Sequence, residues 1–276
     1  MRGAFGARLR RLSCPSATAS CDGCESRESC PYGYIFETPV PRGTERLRTH
    51  QDIPRPFVIQ VPPPGVLRLS TGDELALHLV LFGRALDYLP HVAQAFGQIE
   101  RLAQDPADGP GGNVRLEEFA ADGNGQGAHK GWDSPAPLPT DPANAIRVDF
   151  LTMTRLKHDG GYVRRPEFHV LVRNLLRRAA NLLYFHGGGD LGVDFRALIE
   201  KARCVSLTND STRWVDWSRY SRRQDMTMDL TGFLGQVRYA GDVDPFLPLL
   251  RFGEYCHVGK NATLGLGRMK LSEEPR

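Results

Sequence analysis

Between residues 121 and 144 the chain reads ADGNGQGAHKGWDSPAPLPTDPAN. Glycine, proline, aspartate and asparagine dominate, and apolar residues recur at neither the strand nor the helix period. Such a stretch cannot continue a core element, so we expect a linker or a mobile insertion. It divides the 276 residues into 1–120 and 145–276, each long enough for one domain with its own core.

The second half has the clearer rhythm. AIRVDFLTMTRL, 145–156, alternates Ile146, Val148 and Phe150 on one side, as a half-covered strand does. PEFHVLVRNLLRRAANLLYF, 166–185, carries Phe168, Leu171, Leu175 and Leu182 at helical spacing. Pro166 suits its first turn, and the glycines of HGGGD, 186–190, suit its end. A helix over 191–202, strands from 205 and over 226–239, a helix over 244–254 and a last strand over 266–271 complete the pattern. Setting the helix at 191–202 aside, the order strand, helix, strand, strand, helix, strand is that of a ferredoxin-like α+β domain. The first half reads as a degraded copy. It offers a helix over 2–12, strands at FVIQV (57–61) and ELALHLVLFG (74–83), a helix over 85–103 and a strand over 113–119.

No apolar run approaches the roughly 18 residues of a membrane span, and the basic N-terminus lacks the apolar core of a secretion signal. The expected setting is therefore the reducing cytoplasm, with no membrane partner. A formal net charge of +3 is too small to indicate a partner by itself. Its distribution says more, because Arg213, Arg219, Arg222 and Arg223 crowd one segment. In RWVDWSRYSRRQ, 213–224, these arginines interleave with Trp214, Trp217 and Tyr220. Arginines that grip phosphates beside aromatics that stack on unpaired bases suit RNA. Trp214 and Trp217 are expected to divide between core and surface. Arg173 and Arg177 share a face of the long helix, which a solvated surface explains at least as well.

Four of the six cysteines, Cys14, Cys21, Cys24 and Cys30, fall within a short span around CDGC. Four thiolates can hold a tetrahedral ion, so zinc is the first expectation and an iron–sulfur cluster the second, both in a structural role. Cys204 and Cys256 stand alone and read as small buried apolar residues.

Taken together, RGAFGARLRRLSC, CDGCESRESCPYGYIFE, IPRPFVIQVP, FHVLVRNLLRRAANLLYFHGG, WVDWSRYSRRQ and GEYCHVGKNATLGLGRMKL resemble, in order and spacing, the CRISPR-associated endoribonucleases of the repeat-associated mysterious protein (RAMP) superfamily. The resemblance implies two tandem ferredoxin-like domains. The family's first strand precedes the RGAFG motif at which this chain begins, so the resemblance implies either an N-terminal domain lacking that strand or a natural start upstream of Met1. It further implies binding of CRISPR repeat RNA, as precursor and as mature guide, and cleavage within the repeats. The reaction needs no metal cofactor: the ribose 2′-hydroxyl attacks the adjacent phosphate. A CRISPR effector complex is an implied partner.

Such chemistry needs a proton-transfer group near each departing or attacking oxygen and positive charge on the phosphorane. His257 beside Lys260 is the leading pair, and His50, in the basic segment RLRTHQDIP, is the rival histidine. Gly259, Gly265 and Gly267 would let the backbone approach RNA. The remaining expected RNA contacts are Arg213, Trp217, Arg219, Tyr220, Arg222, Arg223, Gln224 and Arg268. Two other functions fit parts of the pattern: a RAMP subunit that holds RNA without cutting it, and a redox protein centred on the four cysteines.

Overall fold

The computed structural model describes residues 1–15, 20–41, 44, 53–62, 77–102, 145–221 and 226–273. The N-terminal half contains α1 (Arg2–Ser13), α2 (Pro31–Phe36), β1 (Phe57–Gln60), β2 (His78–Leu81) and α3 (Leu89–Leu102). The C-terminal half begins with β3 (Ala145–Thr154), the short β4 (Lys157–His158) and β5 (Gly161–Tyr162), then α4 (Phe168–Leu182) and α5 (Phe195–Arg203). It continues with β6 (Ser206–Val215), β7 (Ser218–Ser221), β8 (Met226–Asp229), β9 (Gly232–Ala240), α6 (Leu247–Cys256) and β10 (Met269–Glu273).

Strands β10, β3, β9 and β6 lie side by side in that order, with every neighbour antiparallel. Helix α4 leads from β3 towards β6, and α6 joins β9 to β10. This is the split βαβ arrangement expected from the sequence. Ile146, Val148 and Phe150 point into a core shared with Phe168, Leu171 and Leu175 of α4 and with Phe246 and Leu250, while Arg147 and Asp149 take the alternate positions of β3. One apolar face per strand and one apolar stripe per helix account for the two layers. The Tyr239 hydroxyl, buried in that core, donates to the Pro166 carbonyl at 2.6 Å and fixes the entrance of α4 to the sheet.

The N-terminal core packs Phe5 of α1 against Phe36, Phe57 and Phe96, over the antiparallel β1–β2 pair. The strand expected over 113–119 and the segment 121–144 lie outside the described residues.

Two differences concern the second half. The strand expected over 226–239 is broken. Asp229 accepts the Thr231 amide at 2.8 Å, and the Leu230 amide donates to the Trp217 carbonyl at 2.8 Å, so β8 leaves the main sheet and pairs with β7. Between β3 and α4 the turn HDGG folds into the β4–β5 pair, with Asp159 and Gly160 both at positive φ (46° and 84°). Two residues with positive φ are what a tight type I′ hairpin requires.

Candidate nucleic-acid interface

Helix α6 ends at Cys256, and the segment 257–268 folds back along the seam between the halves. His257 stands at φ 59°, ψ 168°, a region that side chains rarely enter. Its ring is wholly buried, with Nδ1 donating to the Leu266 carbonyl at 3.1 Å and Nε2 without a partner among the described residues. Burial pushes its pKa down to about 3, and the Arg178 and Arg268 guanidiniums add to that effect. An imidazole held neutral in the core does not reach RNA on the surface. This placement is at odds with the acid or base role expected of His257. A histidine set between Cys256 and Val258, both fully buried, follows the apolar path of its neighbours.

The glycines serve the same packing. A Cβ on Gly267 (φ 70°) would strike the Val258 carbonyl, and one on Gly265 would meet the Ile59 carbonyl at 2.8 Å. Gly265 and Gly267 are buried, and a Cβ on Gly259 would run into the Arg155 carbonyl. Their missing side chains let the protein's own backbone close up, where an approach of RNA was expected. Buried Thr152, unremarkable in the sequence, completes the loop: its hydroxyl donates to the Gly265 carbonyl and accepts the Arg268 amide, both at 2.9 Å. Arg268 donates from Nη1 to the Val61 carbonyl at 2.8 Å, so its guanidinium grips the N-terminal half.

Other groups tie the halves together. Gln60 donates to the Glu254 carbonyl at 3.0 Å, and Phe82 meets Phe252 edge to face. Buried His186 stands between Tyr34 and Pro54. Its Nε2 donates to the Pro54 carbonyl at 2.7 Å, which leaves Nδ1 to accept the Tyr34 hydroxyl at 2.9 Å. Burial pushes the His186 pKa down to about 4.

Two clefts flank α4. A cleft of about 540 Å³ opens between the β4–β5 turn, α4 and the start of α5. Lys157, Arg173 and Arg177 bring positive charge to it, Asn174 adds an amide, and Phe195 and Ile199 form an apolar wall. A smaller cleft of about 150 Å³ shares Lys157, Asn174 and Arg177 and adds Arg155, Tyr162 and Lys260. Lys260 is exposed at the edge of the Gly-rich loop. The two clefts form one basic track from that loop to α5. Arg155 is spoken for: it pairs with Asp229 at 3.1 Å and lies over the Tyr162 ring at 5.1 Å. Sequence reasoning passed over this site because its residues come from three elements. The spacing of Arg173 and Arg177 was visible, but what they face was not.

The arginine-rich segment divides. Arg213 is exposed on the edge strand β6, and Trp217 is 45% exposed just beyond it. Trp214 is half-buried against the core with the Arg164 guanidinium 4.7 Å from its ring centre, so the expected division of the two tryptophans is observed. Arg219 and Tyr220 sit on β7 opposite Met228 and Thr227. Arg222, Arg223, Gln224 and His50 lie outside the described residues.

Cys14 and Cys30 lie near enough to Cys21 to help raise its thiol pKa, which burial and Glu37 push up first. Among the described residues, no group of three or more His, Cys, Asp or Glu side chains is placed to hold a metal ion. Cys30 instead caps α2, its Sγ accepting the Gly33 amide at 3.5 Å, and Cys14 closes α1 through its amide. The expected zinc site is therefore unsupported. Cys256 is buried as expected, its thiol pushed up to about 11 by burial, but Cys204 is exposed, contrary to expectation.

Comparison with known proteins fits this geometry. Residues 148–269 match the model of the CRISPR-associated endoribonuclease Cas6, and residues 1–129 match the AF_1859_N N-terminal domain. A protein of Archaeoglobus fulgidus is 24% identical over 287 residues, covering 98% of this chain and 89% of its own. A Cas6 product complex aligns with a TM-score of 0.57 and 18% identity over 98% of this chain and 92% of that one. Thermus thermophilus Cas6 aligns with a TM-score of 0.52 and 15% identity over 98% and 89%. A partial Cas6-RT-Cas1–Cas2 complex gives a TM-score of 0.51 at 16% identity, covering 99% of this chain and 42% of that one. The fold is thus that of α+β proteins with tandem ferredoxin-like domains. Within that fold, residues 148–269 are similar to the Cas6 endoribonuclease model.

Proposed function

We propose that the protein is an endoribonuclease that binds CRISPR repeat RNA and cuts precursor CRISPR RNA within its repeats, yielding guide RNAs. The observation that carries this reading is the match of residues 148–269 to the Cas6 endoribonuclease model. The basic track beside the Gly-rich loop supplies the charge that such a substrate needs. In the proposed reaction the 2′-oxygen forms a bond to phosphorus as the bond to the 5′-oxygen breaks. The 2′-hydroxyl proton passes to a base, and an acid protonates the departing 5′-oxygen. The products are a 2′,3′-cyclic phosphate and a 5′-hydroxyl, with no metal required. Of the two histidines singled out in the sequence, we assign proton transfer to His50. Lys260 is assigned the charge on the scissile phosphate.

Single-turnover cleavage of repeat RNA tests these roles. His50→Ala is expected to slow the cut by roughly 10²–10⁴-fold while leaving RNA affinity near that of the parent. Cleavage by His50→Ala at the parent rate refutes the assignment. One observation, the burial of His257, favours a second reading, a subunit that holds RNA without cutting it. That reading predicts tight binding of repeat RNA with no product.

A further inference from the structure

We propose that the cleft between the β4–β5 turn, α4 and α5 seats one unpaired nucleotide of a single-stranded RNA segment, its base against Phe195 and Ile199 and its flanking phosphates at Lys157, Arg173 and Arg177. This rests on the reading of the protein as an RNA binder, and it names where and in what form a part of the RNA is held.

Three features separate this cleft from a merely solvated helix face. The first is shape: about 540 Å³ lies within the range of small-ligand sites, whereas a convex helix surface offers no volume. The second is charge. Among the described residues, neither Lys157, Arg173 nor Arg177 pairs with a carboxylate. Arg173 lies 3.4 Å from His158 Nδ1, and Arg177 donates to the Asn174 side-chain oxygen at 3.4 Å. The acid on the rim, Asp159, is 82% exposed and faces His158 Nε2 at 3.3 Å. Nearby surface arginines do have carboxylate partners, as Arg203 has Glu200 and Arg165 has Glu167. The third is the division of chemistry. Phe195 and Ile199 of α5, both half-buried against the core, give the cleft its apolar wall, and the cations come from β4 and α4. A nucleotide has that same division, a flat base on one side and charged phosphates on the other. Unpaired RNA is the form whose bases are free to enter such a site.

The test uses the full chain and two fluorescein-labelled probes, octauridylate and octaadenylate, with anisotropy followed from about 50 to 300 mM salt. Neutralising two phosphate contacts on a single strand should lower the slope of log K against log salt by about 1.4. Arg173→Ala/Arg177→Ala is therefore expected to bind at least roughly tenfold more weakly, with that loss of slope. A charge-matched control outside the cleft, Arg196→Ala/Arg203→Ala, should stay within roughly threefold of the parent. Ile199→Trp fills the apolar wall without changing charge, and it should also weaken binding. Equal losses in the two arginine pairs would indicate a diffuse field and overturn the proposal, as would parent-like binding by both cleft variants. Repeat cleavage is measured alongside. Parent cleavage with cleft variants unaltered in oligonucleotide binding refutes the cleft alone. A parent protein that neither binds nor cuts RNA refutes the functional reading beneath it.

Discussion

Two buried histidines should make this protein lose stability as pH falls through the weakly acidic range. His186 and His257 have folded pKa values of about 4 and about 3, each depressed chiefly by burial, against about 6.5 in an unfolded chain. Above pH 6.5 both are neutral in both states and contribute no pH dependence. Below it the unfolded chain takes up two protons that these buried rings refuse, and the lowered pKa of part-buried His169, pushed down by burial and by Arg203, adds in the same direction, so folding weakens. The loss begins near the unfolded value and ends only when the folded rings protonate, near pH 3–4. Two protons correspond to about 2.7 kcal/mol per pH unit at full slope, and to roughly 3 kcal/mol between pH 6.5 and 5 once partial protonation near 6.5 is included. Urea unfolding at intervals over pH 5–7 measures this slope above the main carboxylate titrations. His186→Gln keeps a donor and an acceptor for Pro54 and Tyr34 and removes one titration, so its slope should fall by about 1.4 kcal/mol per pH unit. A parent protein with flat stability across this window, or a His186→Gln slope equal to the parent's, would refute the burial argument.

Further outcomes follow from the loop and the seam. Gly267→Ala places a methyl group against the Val258 carbonyl at φ 70° and should cost about 2–4 kcal/mol, read as a lower urea midpoint. Arg268→Ala removes the bond to the Val61 carbonyl across the seam and should cost about 1–2 kcal/mol in the same assay. Cys21→Ser/Cys24→Ser should leave the melting temperature within about 2 °C, since among the described residues neither thiol belongs to a group placed to hold a metal ion or caps a helix; a loss above about 10 °C together with one equivalent of bound zinc would restore the four-thiolate site. His257→Ala should lower stability in proportion to the packing and the Leu266 bond it removes, while cleavage by the molecules that remain folded stays near the parent rate.

Periodicity carried the reading of the second half as far as local pattern can. The alternation of Ile146, Val148 and Phe150 and the stripe from Phe168 to Leu182 correspond to β3 and α4, because one buried face per element leaves a direct trace in the residue order. The β7–β8 pair left no such trace. Asp229 and Thr231 end β8 with a side-chain turn inside a stretch whose composition still favours strand. The Gly-rich loop was legible as a place that allows a close approach, which the sequence suggested for RNA and the structure shows for the protein's own backbone. What it comes close to depends on Ile59 and Val61, some 200 residues away in the chain, and no local pattern reports a contact of that range. The same limit hid the basic cleft. Lys157, Arg173 and Phe195 are ordinary surface or amphipathic residues until the β4–β5 turn, α4 and α5 are brought together. His257 misled for a related reason: a histidine beside a lysine and glycines has the composition of a site, whereas its burial is decided by the Cys256 and Val258 backbone on either side of it.

The central claim is that this chain cuts CRISPR repeat RNA, and the most direct measurement is to map both ends of the product after incubation of the purified protein with its own repeat RNA in excess EDTA. The account predicts a single cut per repeat that leaves a 2′,3′-cyclic phosphate and a 5′-hydroxyl. Intact RNA held in a stable complex, or a cut that requires added divalent metal and leaves a 3′-hydroxyl, would contradict it.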